Sequence, residues 1–295
     1  MHDPATLTTS RGLRALLRWI ATVGLALGLA GCGLGIVYPR LDSVVGFYVQ
    51  GLVTLDKAQA SALQRTLAGN LEWHRRSELA RYAAFLRDVA GAVEDGAGRR
   101  DWLEASRRTE EYFRDIFEQA APGYTALAAT FTDAQVAELL ANLEREDEQT
   151  WREFVERTPR QRDARREKSL SRTLERFIGP LTDAQSASVR AHVASSPTFM
   201  PEWRENRRVW RQSLAEALAR RRAGEEFAAR MFVLVARPDD LWTPQYRAAV
   251  ERRRESLAEL MATIDGTLTP QQRAAARRQL LALADEVQGL ADRRG

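Results

Sequence analysis

Residues 55–93 read LDKAQASALQRTLAGNLEWHRRSELARYAAFLRDVAGAV, a long run without proline. Leu55 and Asp56 open it and Gln59 follows three residues after Asp56. That is the pattern of a capped helix start: the N-cap oxygen accepts from the N3 amide, and the N3 side chain returns to the N-cap amide. At 100° per residue Leu63, Leu67, Leu71, Tyr82, Phe85 and Val89 share one face. Gly96 and Gly98 then stop the helix.

The same start recurs along the chain. Phe131-Thr132-x-x-Gln135, Leu181-Thr182-x-x-Gln185 and Leu268-Thr269-x-x-Gln272 repeat it, and Trp242-Thr243-Pro244-Gln245 is a partial copy with Tyr246 in the glutamine's place. The four full starts lie 76, 50 and 87 residues apart, an irregularity that excludes a fixed-period solenoid. Between them, Asp101 is expected to cap a helix carrying Trp102, Ser106, Thr109, Phe113, Ile116 and Ala120 that stops at Pro122-Gly123. The helix from Thr132 carries Val136, Leu140, Leu143, Trp151 and Phe154 and ends near Pro159; another runs to Ile178 and stops at Gly179-Pro180. Thr182 starts a short helix. Beyond Ser195–Pro201 the periodicity predicts helices near 202–222, 225–236, 244–264 and 270–292. Nothing alternates with a period of two between hairpin turns. The expectation is an all-α, irregular multi-helix bundle of about nine to ten helices with no sheet.

At the N-terminal end, Arg11, Arg14 and Arg18 precede about a dozen uncharged, mostly apolar residues from Trp19 to Ala30, and Gly31 and the only cysteine, Cys32, follow. A basic region, a short apolar region and a small-residue cleavage site make a secretory signal peptide. The apolar run falls short of the roughly 20 residues a bilayer span needs. Residues 1–31 therefore read as a signal peptide, 32–38 as a short linker and 39–295 as the helical domain, with a sub-boundary at 195–201. Pro39 and the stripe Leu41, Val45, Tyr48 and Leu52 predict a helix that docks on the body. With one cysteine, no disulfide can form within the chain.

Charged residues make up 28% of the chain and hydrophobic ones 44%, as expected of a protein with a real core. Residues 1–31 hold three arginines and one aspartate, so they account for two of the four net positive charges. Apart from Lys57 and Lys168, every one of the 44 basic residues is arginine, which fits GC-rich coding.

His74 and Glu78 interrupt the apolar stripe one turn apart. Polar groups facing a core must be satisfied, so a hydrogen bond between them or to Arg81 is expected. Such a cluster serves either as an acid–base site or as a structural network fixing register, and the network is preferred. One histidine and one carboxylate are too few for zinc. Asp147, between Leu143 and Trp151, is placed opposite this cluster, in a helix-capping role or toward solvent. His192 reads as a partly buried side chain. Thr158–Lys168 carries five basic and two acidic residues. It lacks the interleaved aromatics of a nucleic-acid surface, and reads as a solvated face or a contact for anionic lipid phosphates. No catalytic residue, metal or cofactor is predicted, and no nucleic acid is expected as partner.

Two resemblances follow from these residues. Leu29-Ala30-Gly31-Cys32 resembles the bacterial lipobox, in which the cysteine receives fatty acyl chains such as palmitate. With Gly33 rather than aspartate after it, the resemblance implies the outer membrane, facing the periplasm, over the inner one. The lipobox, Tyr38-x-x-Leu41-Asp42, Leu55-Asp56-x-x-Gln59, the stretch Trp73-His74-Arg75-Arg76-x-Glu78-Leu79 with Tyr82 and Phe85, and Leu268-Thr269-Pro270-x-Gln272 together resemble an uncharacterised family of Gram-negative lipoproteins. That resemblance implies an all-helical lipoprotein and no activity. Leu-Thr-x-x-Gln alone also resembles the Spy/CpxP periplasmic chaperones, which hold unfolded clients or sense envelope stress. The expected function is a non-enzymatic, lipid-anchored envelope protein with an envelope or exported protein as partner. A chaperone-like holder is the first alternative, and an enzyme built on His74 and Glu78 the second.

Overall fold

The computed structural model describes residues 34–293, and the signal-peptide residues and Cys32 lie outside them. The described residues form ten principal helices and no strand. These are α1 (Leu41–Leu52), α2, α3 (Arg99–Ala129), α4 (Asp133–Val155), α5 (Pro159–Ile178), α6 (Asp183–Ser195), α7 (Met200–Ala219), α8 (Glu225–Ala236), α9 (Pro244–Gly266) and α10 (Pro270–Ala291). Helix α2 has two halves, Lys57–Trp73 and Leu79–Asp95, joined by a π-helical turn over His74–Glu78. The segment expected as a free linker is already helical: Leu34–Val37 makes one turn and Tyr38–Arg40 a 3-10 turn, with Tyr38 buried.

Helix α2 is the spine. Its first half joins α1, the end of α3, α4, α7 and α8 around Leu52, Leu63, Leu127, Leu143, Leu218 and Phe227. Its second half joins α5, α6, α9 and α10 around Ala90, Val93, Ile178, Val189, Ile264 and Leu280. Leu79 and Ala83, just past the π turn, pack with Tyr38, Val287 and Leu290 between the two cores. The buried line past the turn is Leu79, Ala83, Ala90 and Val93. A helix with an uninterrupted 3.6-residue period puts Tyr82, Phe85 and Val89 there; the extra residue of the π turn moves the buried face on by one position and leaves those three half-buried.

Two boundaries and one cap differ from the sequence expectation. Gly98, not Asp101, is the N-cap of α3, and Asp101 sits at N3, accepting from the Gly98 amide at 2.9 Å. Helix α3 does not stop at Pro122-Gly123 but continues to Ala129. Pro122 forfeits one intrahelical bond, while the next turns bury Leu127 and Ala128 in the first core. Gly123 is where α2 crosses, and a Cβ there would collide with Thr66. Helix α5 has a capping box that the sequence reading missed, with Thr158 and Gln161 bonding each other's amides at 2.9 and 3.3 Å.

The boxes opening α2, α4, α6 and α10 each make both of their internal bonds. Beyond that they pair. Gln59 Nε2 donates to Gln135 Oε1 at 3.2 Å and Gln135 Nε2 to Gln59 Oε1 at 2.6 Å. Gln185 and Gln272 exchange the same two bonds at 2.9 Å each. Each carboxamide nitrogen also donates to the carbonyl two residues before its partner's N-cap: Thr130, Thr54, Thr267 and Pro180. One clasp thus ties the start of α2 to that of α4, the other α6 to α10.

Gln185 is fully buried, so Gln185→Ala removes its cap bond and leaves Gln272 unsatisfied. Urea denaturation is expected to show a loss of about 3 kcal/mol, against no more than about 1 kcal/mol for Gln161→Ala, whose box has no partner. Equal costs would mean that the pairing adds nothing. At the crossing, Gly123→Ala should destabilise by about 1–3 kcal/mol through overpacking. Gly91→Ala, with open space at its Cβ, should instead stabilise by up to about 1 kcal/mol in the same measurement.

Candidate functional site

The π turn holds the residues that interrupt the stripe. Leu79 donates to the His74 carbonyl five residues back, which turns His74 and Glu78 toward different partners. No hydrogen bond joins the two. The His74 ring faces two tyrosines. Its Nδ1 lies 3.0 Å from the Tyr38 hydroxyl, which is 3.3 Å from the Leu71 carbonyl. Tyr82 meets it edge-on at 5.3 Å. When Tyr38 donates to Leu71, His74 Nδ1–H donates to Tyr38, and a neutral imidazole satisfies both. Burial lowers the His74 pKa to about 4 and pushes Tyr38 and Tyr82 upward.

Glu78 is buried, at 2% exposure, and accepts from Arg81 Nη1 at 2.9 and 2.7 Å. The same guanidinium reaches Asp115 on α3 at 2.7 Å and lies over the Tyr112 ring. Tyr112 packs on Tyr82 and Phe85. This cluster seams α2 to α3 with its acid and base already engaged; the Tyr82 hydroxyl is buried without a partner.

Asp147 does not join this cluster. It is buried on α4 and accepts from Arg207 Nε at 3.0 Å and from Arg211 Nη1, one turn apart on α7. The spacing of two arginines at i and i+4 was the signal available in the sequence. His192 faces the Ser256 hydroxyl on α9, its Nδ1 3.1 Å away. Among the described residues no group of three or more His, Cys, Asp or Glu side chains could hold a metal ion, and no helix is long and apolar enough to cross a membrane.

The fold and this closed polar seam define an all-helical protein whose ionisable interior groups pair helices to one another. The chain belongs to a family of unknown function, DUF6279, whose model matches residues 51–247. The match takes in the His74 turn and the boxes at Asp56, Thr132, Thr158 and Thr182 and leaves out the Thr269 box. No match is found among curated proteins. No solved structure matches either.

The depressed His74 pKa sets a pH dependence. The unfolded imidazole protonates through 6.5 and the folded one only near 4, so the unfolded state binds more protons between these values. The stabilisation is complete above pH 6.5 and is lost as the pH falls toward 4, by about 3 kcal/mol. Urea denaturation of His74→Gln should lack that part of the slope between pH 6.5 and 4.5. An unchanged slope would place the titration elsewhere.

Proposed function

We propose that this protein is a lipid-anchored, non-enzymatic binding protein of the cell envelope, held at the periplasmic face of the outer membrane. The observation that carries the non-enzymatic part is the closure of the His74 turn. The residues best suited to acid–base chemistry are spent on Tyr38 and Arg81, and the histidine is held neutral by burial. Its partners are tyrosines and an arginine within the helix seam, an arrangement suited to fixing the register of α2.

The anchor rests on the sequence of residues 11–32, with its arginines, short apolar run and Leu-Ala-Gly-Cys ending. More than one acyl chain gives stable attachment where a single chain is marginal. The helical turn at Leu34–Val37 contacts α10, so the body would sit close to the membrane surface. A chaperone-like holder of exported proteins is favoured by one feature: Phe113 and Phe117, a turn apart on α3, are 44% and 43% exposed.

Cys32→Ser should abolish incorporation of labelled palmitate in intact cells and release the protein into the soluble periplasmic fraction. Membrane retention of an unlabelled variant would reject the anchor.

A further inference from the structure

The basic stretch that opens α5 borders a half-open cavity of about 500 Å³, lined also by the ends of α4 and α6, the 196–199 connection, the first residue of α7 and Arg253 of α9. Five guanidinium groups line it, from Arg157, Arg162, Arg165, Arg166 and Arg253, with one carboxylate, Asp163. Asp163 lies 3.6 Å from Arg166. Glu153, outside the cavity wall, lies 3.8 Å from Arg157. Among the described residues, Arg162, Arg165 and Arg253 have no carboxylate within ion-pair reach. A surplus of three positive charges faces one space.

Neutral partners hold Arg162, Arg166 and Arg253 in place, while Arg165 borders the cavity from its exposed side. The Arg162 guanidinium lies 4.3 Å from the Phe154 ring centre and donates to the carbonyls of Phe154 at 3.2 Å and Arg157 at 2.7 Å. Arg253 lies over Phe199 at 4.9 Å. Arg166 donates to the Ser196 carbonyl at 2.9 Å. Carbonyls and rings orient a guanidinium without cancelling its charge, and an oriented fork suits the oxygens of a phosphate. The field reaches neighbouring groups. Burial and then the Arg166 charge lower the Arg253 pKa; burial and then Arg166 and Arg253 lower that of His192. Helix α7 starts at the same wall, but its Met200 amide donates to Thr198 Oγ1 at 3.3 Å and Glu202 lies in its first turn, so the positive field comes from the arginines and not from this helix end.

We propose that this cavity binds a phosphate-bearing organic ligand, with its phosphate oxygens on Arg162, Arg165 and Arg253 and its organic part against Phe154 and Phe199. The volume falls in the range of small-molecule sites and exceeds what a bare phosphate fills. A phospholipid headgroup and a soluble organic phosphate present the same chemistry. The inference rests on the reading of this chain as a binding protein and is independent of the anchor at Cys32.

Calorimetric titration of the purified protein with pyrophosphate at low ionic strength tests the charge recognition, and flotation of the Cys32→Ser protein, which carries no acyl chain, with phosphatidic acid vesicles in phosphatidylcholine tests the lipid source. Saturable pyrophosphate binding is expected, weakened about tenfold or more by Arg165→Gln and by Arg253→Gln. Arg222→Gln, beyond the other end of α7, should leave it unchanged. Arg165 is exposed and unpaired, so its replacement probes the cavity without endangering the fold. Flotation that is lost in the same two variants and competed by pyrophosphate assigns the phosphate to a lipid. Pyrophosphate binding without flotation assigns it to a soluble compound. Heats that are absent, or equal in wild type and both variants, overturn the proposal, while palmitate labelling at Cys32, read separately, would stand.

Discussion

Two pairs of glutamine carboxamides fix where the helices of this protein start relative to one another. A carboxamide has two donor hydrogens and an oxygen with two lone pairs. In each clasp both hydrogens and both lone pairs are used. The oxygen accepts from its own N-cap amide and from the partner carboxamide; the nitrogen donates to the partner oxygen and to the carbonyl two residues before the partner's N-cap. Displacing either helix start would break bonds on both sides and strand buried polar groups, a cost larger than the bonds' net contribution. Since α2 takes part in the Gln59–Gln135 clasp and in both cores, the placement of α2 carries over to the rest of the bundle.

That division also explains what could be read in the sequence. A capping box is local: three residues decide it, and Asp56–Gln59, Thr132–Gln135, Thr182–Gln185 and Thr269–Gln272 were legible as helix starts, as was the absence of strands. The pairing of box with box joins residues 76 or 87 positions apart, and no local pattern encodes it. The π turn hides for a related reason. A polar pair in an apolar stripe shows that something happens at His74 and Glu78, but the one-position displacement from Tyr82 and Val89 to Ala83 and Ala90 is visible only when α10 is in place against α2. Pro122 misled because its local effect, a lost bond, is outweighed by the burial of the turns that follow it.

The candidate site was legible in membership and not in geometry. His74, Glu78 and Arg81 lie together, as a shared helix face requires, but the histidine turns to Tyr38, which precedes α1, and only the glutamate takes the arginine. Asp147 finds its cations on α7, a helix that sequence spacing could not place opposite α4. In both cases a buried carboxylate is matched by guanidinium groups that supply several donors at once. The seam is therefore specific in register.

Arginine usage admits a structural reading beside the compositional one. Arg221 is buried and donates to the carbonyls of Phe131 and Leu218 as well as to Asp133. Arg273 reaches Asp265, its carbonyl and that of Val93. Each fork gathers the unsatisfied carbonyls at helix ends and one acid, a task for which the compact ammonium of lysine lacks the reach and planarity. Such arginines are consumed by the fold. Those around the 500 Å³ cavity differ: Arg162 has carbonyls and a ring, Arg253 a ring alone and Arg165 no partner, and none of the three meets an acid. The same side chain that closes helix ends elsewhere is there held open, and the low net charge of the chain conceals this because acids paired with structural arginines balance the total.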